Sequence, residues 1–200
     1  MISFGLKPVQ RPPTAAKIDR NLRFGVAMGL TETAKQGQKA VQGSLRGTFT
    51  LRGSWWQQSN KFGIKIKAAK RDDLSAEVRT MADWLVPHEK GGTKTATRGG
   101  RLAVPTDNVR RNKRDIITRA NRPSALRGKR TFVIRTSKGD VLFQRKYKGK
   151  RSFITPLYNL EPRVHIRRQS TFFAPIETVV NRRLQRNVLA GMHKALATMK

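Results

Sequence analysis

Thr131 to Tyr147 reads TFVIRTSKGDVLFQRKY. Two runs rich in Val, Ile, Phe and Thr flank the tetrad SKGD, whose glycine and aspartate suit a tight turn. The stretch predicts an antiparallel hairpin and, with it, a sheet in the middle of the chain. SFITPLY (152–158) and RVHI (163–166) share the β-forming composition and predict further short strands. Upstream, only RLAVP and DIIT interrupt residues 101–130 as short apolar patches. Gly91–Gly100, GGTKTATRGG, has four glycines and no apolar period. A long flexible basic loop is therefore expected around 90–130.

A second hairpin is expected earlier. Phe62, Ile64, Ile66 and Ala68 alternate with Lys61, Lys65 and Lys67; after the turn AKRDD, Leu74, Ala76 and Val78 alternate with Ser75, Glu77 and Arg79. This is the period of a strand pair with one buried face. TFTLRGSWW (48–56) reads as a short extended link, in which Trp55 and Trp56 face opposite ways. One is expected in the core and the other at an edge or interface, with packing preferred to base stacking.

The ends of the chain change period. After Pro12, Pro13 and a possible N-cap at Thr14, the residues Ile18, Leu22, Val26, Leu30, Ala34, Val41 and Leu45 recur at steps of three and four. That spacing predicts a long amphipathic helix. Gly25, Gly29, Gly37, Gly43 and Gly47 each cost it roughly 1 kcal/mol relative to Ala. They either fray and end the helix or let it pack closely on a partner, and both readings stay open. From Ser170, with Pro175 near the start, Phe173, Ile176, Val180, Leu184, Val188, Met192, Leu196 and Met199 line one helical face. Arg182, Arg183, Arg186 and Lys194 lie on the others.

The expected fold is α+β: a small antiparallel sheet flanked by a long N-terminal helix and a C-terminal helix, both packing on the sheet, with a long basic loop. Residues 1–13 form an extension and 14–200 a single domain.

Composition narrows the function. The 200 residues carry 43 Lys plus Arg against 12 Asp plus Glu, a net charge of +31, with 37% apolar residues and nine Phe. This is too apolar for a disordered polycation and too basic for an ordinary cytosolic enzyme. Self-repulsion on that scale calls for counter-charge from nucleic acid, salt or an acidic protein partner. The absence of Cys excludes disulfides, thiolate zinc sites and cysteine nucleophiles. Met1–Pro13 has no signal-peptide pattern, and no run of 18 apolar residues occurs, so use in a cytoplasm without a membrane span is expected.

The charge is uneven. Residues 108–151 hold sixteen Lys and Arg against Asp115 and Asp140, a net of +14. Arg110, Arg111, Lys113, Arg114, Arg127, Lys129 and Arg130 are the candidates to face DNA or the lumen of an assembly. Residues 72–89 instead hold Asp72, Asp73, Glu77, Asp83 and Glu89 against Arg79, a net of −4. Identical subunits could meet head to tail through these opposite patches, with Trp55 and Trp56 as further interface candidates; a solvated acidic loop is the competing reading.

Little points to catalysis. LRGKRT (126–131) lacks the earlier glycine of a phosphate-binding loop and enters a strand. His88, His165 and His193 share no metal-ligand spacing. For His88 beside Glu89, an ordinary polar turn outweighs a metal or acid/base site. There is no serine elbow, and a nuclease built on Asp72, Asp73 or Glu89 is the least favoured class. No cofactor and no catalytic residue is predicted.

The order of segments resembles the minor tail protein Z-like and related neck or tail-completion proteins of tailed bacteriophages. The resemblance rests on the long N-terminal helix followed by FTLRGSWW, on ADWLVPHEKGG leading through a Gly-rich loop to GRLAVPT, and on the ending TFFAPIETVVNRRLQRNVLAGMHKALATM. It implies a non-enzymatic virion component: a small α+β body with flanking helices that assembles into a ring, commonly sixfold, where the tail tube meets the head connector. Tail tube and connector proteins would be its partners, the genome would pass through the lumen, and no membrane is involved. The alternative class is a nucleic-acid-binding protein, ribosome-associated or DNA-packaging, acting by phosphate neutralisation without sequence reading.

Overall fold

A computed structural model describes residues 14–97 and 100–198; the predicted extension 1–13 lies outside them. Helix α1 runs unbroken from Ala15 to Thr48, followed by strands β1 (Lys65–Lys67) and β2 (Glu77–Arg79) and a short helix α2 (Val86–Lys90). Then come β3 (Gly92–Thr95), β4 (Leu102–Pro105), a four-residue helix α3 (Pro123–Leu126), β5 (Thr131–Thr136), β6 (Gly139–Lys148), β7 (Arg151–Glu161), β8 (Arg163–Ile166) and helix α4 (Phe173–Ala197). The α+β class is as expected. The segment read as one domain divides into two compact units: α1 up to Leu45 with Trp56–Met81 and the chain from Phe172, and Arg46–Trp55 with Ala82–Thr171.

In the first unit, small residues decide the packing. A Cβ on Gly25 would stand 2.6 Å from the Met192 Cα, and one on Gly29 would collide with the Val188 Cα. Backbone thus lies against backbone, and Gly37 near Ile176 shows that α4 runs antiparallel to α1. The glycines at 25 and 29 neither fray nor end the helix; they admit α4 of the same chain. Gly43 and Gly47 face open space. Asn187 reinforces the seam, its Nδ2 donating to Thr33 Oγ1 (3.0 Å) and Gln36 Oε1 (3.2 Å). The terminal helices therefore pack on each other, and of the small sheet expected beneath them only β1 and β2 share their unit, Val78 lying beside Gly37, while the four-stranded sheet belongs to the other.

The first hairpin exists but is short. Ile66 opposes Val78, flanked only by Lys65↔Arg79 and Lys67↔Glu77. Beyond Lys67 the chain leaves the ladder: the Ala69 N–H goes to Thr31 Oγ1 (3.1 Å), and Lys70 and Asp73 exchange backbone bonds across a turn. Leu74, expected on the buried face, is exposed. Gln38, buried, donates to the Ile64 carbonyl at 2.5 Å and to Gln58 Oε1 at 3.2 Å.

The second unit holds a four-stranded antiparallel sheet in the order β4-β7-β6-β5. The decisive hairpin is β5–β6, with Thr136 opposite Gly139 and Ser137–Lys138 between them. Strand β7 runs through Pro156, a residue that strands tolerate at edges and bulges. The register slips there: Leu142 opposes Tyr158 while Phe143 opposes Pro156, leaving Leu157 as the extra residue. The bulge breaks strict alternation, so Leu157 and Tyr158 are both buried, in a core with Val109 and Leu126. Gly91–Gly100 was expected as a loop, yet Gly92–Thr95 pairs with β8, Gly92 opposite Ile166 and Thr95 opposite Arg163. Every residue of β3 is exposed, so its pairing rests on backbone bonds and carries no apolar period.

Candidate functional site

Most of the sheet is flanked, but its two longest strands outrun their neighbours. Pairing of β5 with β6 ends at Thr131↔Gln144, and pairing of β4 with β7 ends at Pro105↔Tyr158. The pairs Arg145↔Ile154, Lys146↔Phe153, Tyr147↔Ser152 and Lys148↔Arg151 continue as a two-stranded ribbon. One bond, from the Arg145 N–H to the Arg130 carbonyl (2.9 Å), steadies its base. Gly149, with φ of 59°, closes the tip in a backbone conformation that other residues avoid. All ten residues from 145 to 154 are exposed.

This ribbon carries Arg145, Lys146, Lys148, Lys150 and Arg151 and no carboxylate. Among the described residues, no Asp or Glu ion-pairs with any of the five. Alternation sorts them: Lys146, Phe153, Lys148 and Arg151 share one face, Arg145, Ile154, Tyr147 and Ser152 the other. On the second face guanidinium and ring alternate, Arg145 over Phe132 (5.8 Å) and Arg130 over Tyr147 (5.1 Å), with Phe132 stacked on Phe143. Beside the ribbon base, Arg110 and Lys146 line a cavity of about 230 Å³ with Asn108, Asn121 and Gln144.

The seven basic residues singled out from sequence occupy several settings. Arg110, Lys113, Arg114, Arg127, Lys129 and Arg130 are exposed. Arg111 is half-buried and pairs with Asp115 (3.3 Å), which also holds Arg52 (2.6 Å). Arg111 is thereby committed to a turn in which Asn112 Oδ1 accepts the N–H groups of Arg114 and Ile116. Arg130 joins the ribbon face, and Arg110 meets Lys146 at the cavity. Arg145, Lys146, Lys148, Lys150 and Arg151 were missed as site residues. Their signal was a hairpin whose second and third strands are longer than the flanking ones.

The acidic candidates divide. Lys67 Nζ lies between Asp73 (3.2 Å) and Glu77 (3.4 Å), and Asp72 lies 3.6 Å from Arg71. Hydrogen bonding to Asp73 and the two carboxylate charges hold the Lys67 ammonium above its ordinary pKa. Asp73 is held below the usual carboxylate range, first by the Ser75 hydroxyl at 2.6 Å and then by Lys67. Asp83 is exposed in a 3-10 turn at Asp83–Leu85. Glu89 leaves the surface patch: it is 7% exposed, and its Oε2 accepts the Thr171 N–H at 2.8 Å. The tryptophans sit in turns, not on a strand. Trp55 packs edge-on to Trp84 at 5.5 Å, a partner 29 residues on, and the Trp56 carbonyl accepts the Ile64 N–H (3.1 Å). His88 meets the Phe49 ring edge-on at 5.1 Å.

Among the described residues, no three His, Asp or Glu side chains gather as metal ligands, and no helix is long and apolar enough to cross a membrane. Comparison with protein families, curated proteins and solved structures finds no match to this chain.

Proposed function

We propose that this chain is a structural component of a tailed-phage virion, a tail-completion or head-tail joining adaptor that works as an oligomeric ring at the junction of tail tube and connector, around the DNA path. The observation that carries the reading is the incomplete covering of α4. Of its 25 residues only Gly191 and Ala195 are buried, while Phe173, Val180, Leu189 and Leu196 remain 36% exposed or more. Beside it, Phe24, Met28, Ala68 and Ala190 line an open, largely apolar groove of about 540 Å³, and Phe24 is half-exposed. Apolar surface left so open on a helix is what subunit contacts cover. The helix-sheet-helix order and the segments that resemble tail-completion proteins support placing the assembly in a phage tail.

In this reading the protein binds and orders other proteins and performs no chemical step. It would be assembled in the host cytoplasm and reside in the virion, with copies of itself, tail tube and connector as partners. Solution mass at low and high salt tests it: a discrete ring of several subunits is expected. A strict monomer that binds nucleic acid and never assembles would instead support the phosphate-neutralising class, which the ribbon cations favour, since no carboxylate among the described residues pairs with them.

A further inference from the structure

We infer that the β6–β7 ribbon, Arg145–Ile154, is a duplex-DNA-binding arm that lays its cations along the phosphates of a groove without reading sequence. The inference deepens the adaptor reading and rests on it for where such a duplex is met.

Shape comes first. Four register pairs at about 3.3 Å each carry the ribbon roughly 10 Å past the last flanking strand. A two-stranded β-ribbon is one of the two elements that a B-form major groove, about 12 Å wide, admits. A broad sheet edge would not enter it.

Charge agrees with shape. The cations lie on both faces of the ribbon and on its tip: Lys146, Lys148 and Arg151 on one side, Arg145 on the other, Lys150 in the turn. A groove offers a phosphate rail on either side, whereas an acidic protein surface would meet one face and leave the opposite cations unneutralised. Four cations elsewhere in the same unit find carboxylates. Asp140 takes Arg101 (3.1 Å) and Arg135 (3.4 Å), and Asp115 takes Arg52 and Arg111. The five ribbon cations have no such partner among the described residues. Of the ribbon's two aromatic side chains, Tyr147 already lies against Arg130, and one exposed ring, Phe153, does not make the row of rings on which successive bases stack.

The test is binding of the full chain to a mixed-sequence duplex, read by anisotropy across about 50–200 mM salt. Each phosphate contact contributes about 0.9 to the slope of log affinity against log salt. Lys146→Gln/Lys148→Gln/Arg151→Gln should flatten that slope by up to about 2.7, removing up to about 40-fold of the affinity lost over the range. Lys146→Arg/Lys148→Arg should keep the slope, and a charge-matched change on α4, Arg182→Gln/Arg183→Gln/Arg186→Gln, should alter it far less. Circular dichroism and solution mass accompany each variant, so that loss of fold is seen directly. Equal losses from the ribbon and α4 variants, or no binding by the unaltered chain at the lowest salt, overturn the inference. An acidic protein partner would give the latter result. Rings that ignore DNA sink the ribbon proposal and leave the adaptor reading standing; monomers that bind through the ribbon do the reverse.

Discussion

The backbone N–H of Thr171 donates to Glu89 Oε2 at 2.8 Å, joining residues 82 apart in sequence. Both are buried, Thr171 to 1% and Glu89 to 7% exposure. The bond sits just outside the β3–β8 pair, whose strands directly follow Glu89 and precede Thr171, and the Gln169 N–H reaches the His88 carbonyl (2.8 Å) beside it. Together these contacts tie off the second unit where its chain enters and leaves.

Glu89→Ala is therefore expected to destabilise the protein by about 1–3 kcal/mol, because a buried N–H loses its acceptor. Glu89→Gln keeps an acceptor oxygen and should recover most of the loss. Thr171→Val retains the N–H bond, gives up only the 3.4 Å hydroxyl contact, and should cost less than Glu89→Ala. Denaturant midpoints decide; an unshifted midpoint for Glu89→Ala would show that the bond contributes nothing.

Glycine substitutions on α1 should have opposite signs at different positions. Gly29→Ala drives a Cβ into the α4 backbone, which cannot yield as a side-chain tip can, and should cost about 1–3 kcal/mol despite the better helix propensity. Gly43→Ala meets nothing within 4 Å and should stabilise by about 0.5–1 kcal/mol. Thermal melts of the two variants should shift in opposite directions.

Tyr158 makes the second unit sensitive to alkali. Its hydroxyl donates to the Asn121 carbonyl at 2.6 Å, and burial lifts the phenol above its ordinary 10.0, opposed by the Arg111 charge. The folded state thus holds the proton more tightly than the unfolded chain. The resulting stabilisation is complete below the ordinary phenol value and is lost as pH rises through the lifted one. Tyr158→Phe should cost about 1–2 kcal/mol at neutral pH and flatten the alkaline decline. A decline of unchanged steepness in that variant would assign it to other groups.

Gln38→Leu tests the anchorage of the first hairpin. It strips the Ile64 carbonyl of the 2.5 Å bond from a buried amide, so a loss of about 1–3 kcal/mol is expected. Hydrogen exchange in β1 and β2 should quicken in that variant; unchanged protection there would show that the hairpin does not lean on Gln38.

How much of this was legible follows from which forces leave a local trace. Alternation and a turn tetrad mark β5–β6, and a three-four step marks α1 and α4, because side-chain period follows backbone geometry even where, as on α4, only Gly191 and Ala195 are buried. Strand β3 left no such trace: Gly92, Thr93, Lys94 and Thr95 are all exposed. The bulge at Leu157 hid part of the core, since two adjacent buried residues contradict strand alternation. Gly25 and Gly29 read ambiguously because their meaning lies in Val188 and Met192, some 160 residues away. Glu89 looked like surface charge because nothing nearby announces Thr171. The ribbon was legible as residues but not as a site, for its exposure depends on where β4 and β5 stop.

The seating of α4 on α1 also governs the protein's birth. During synthesis the small-residue face around Gly25 and Gly29 leaves the ribosome first, and its counterpart around Gly191 follows only after about 160 further residues, roughly 10–30 s later. Ala82–Thr171, nearly all of the second unit, is translated within that interval and can close while α1 still lacks its mate. The seam between α1 and α4 therefore closes last, after the second unit has been made in full.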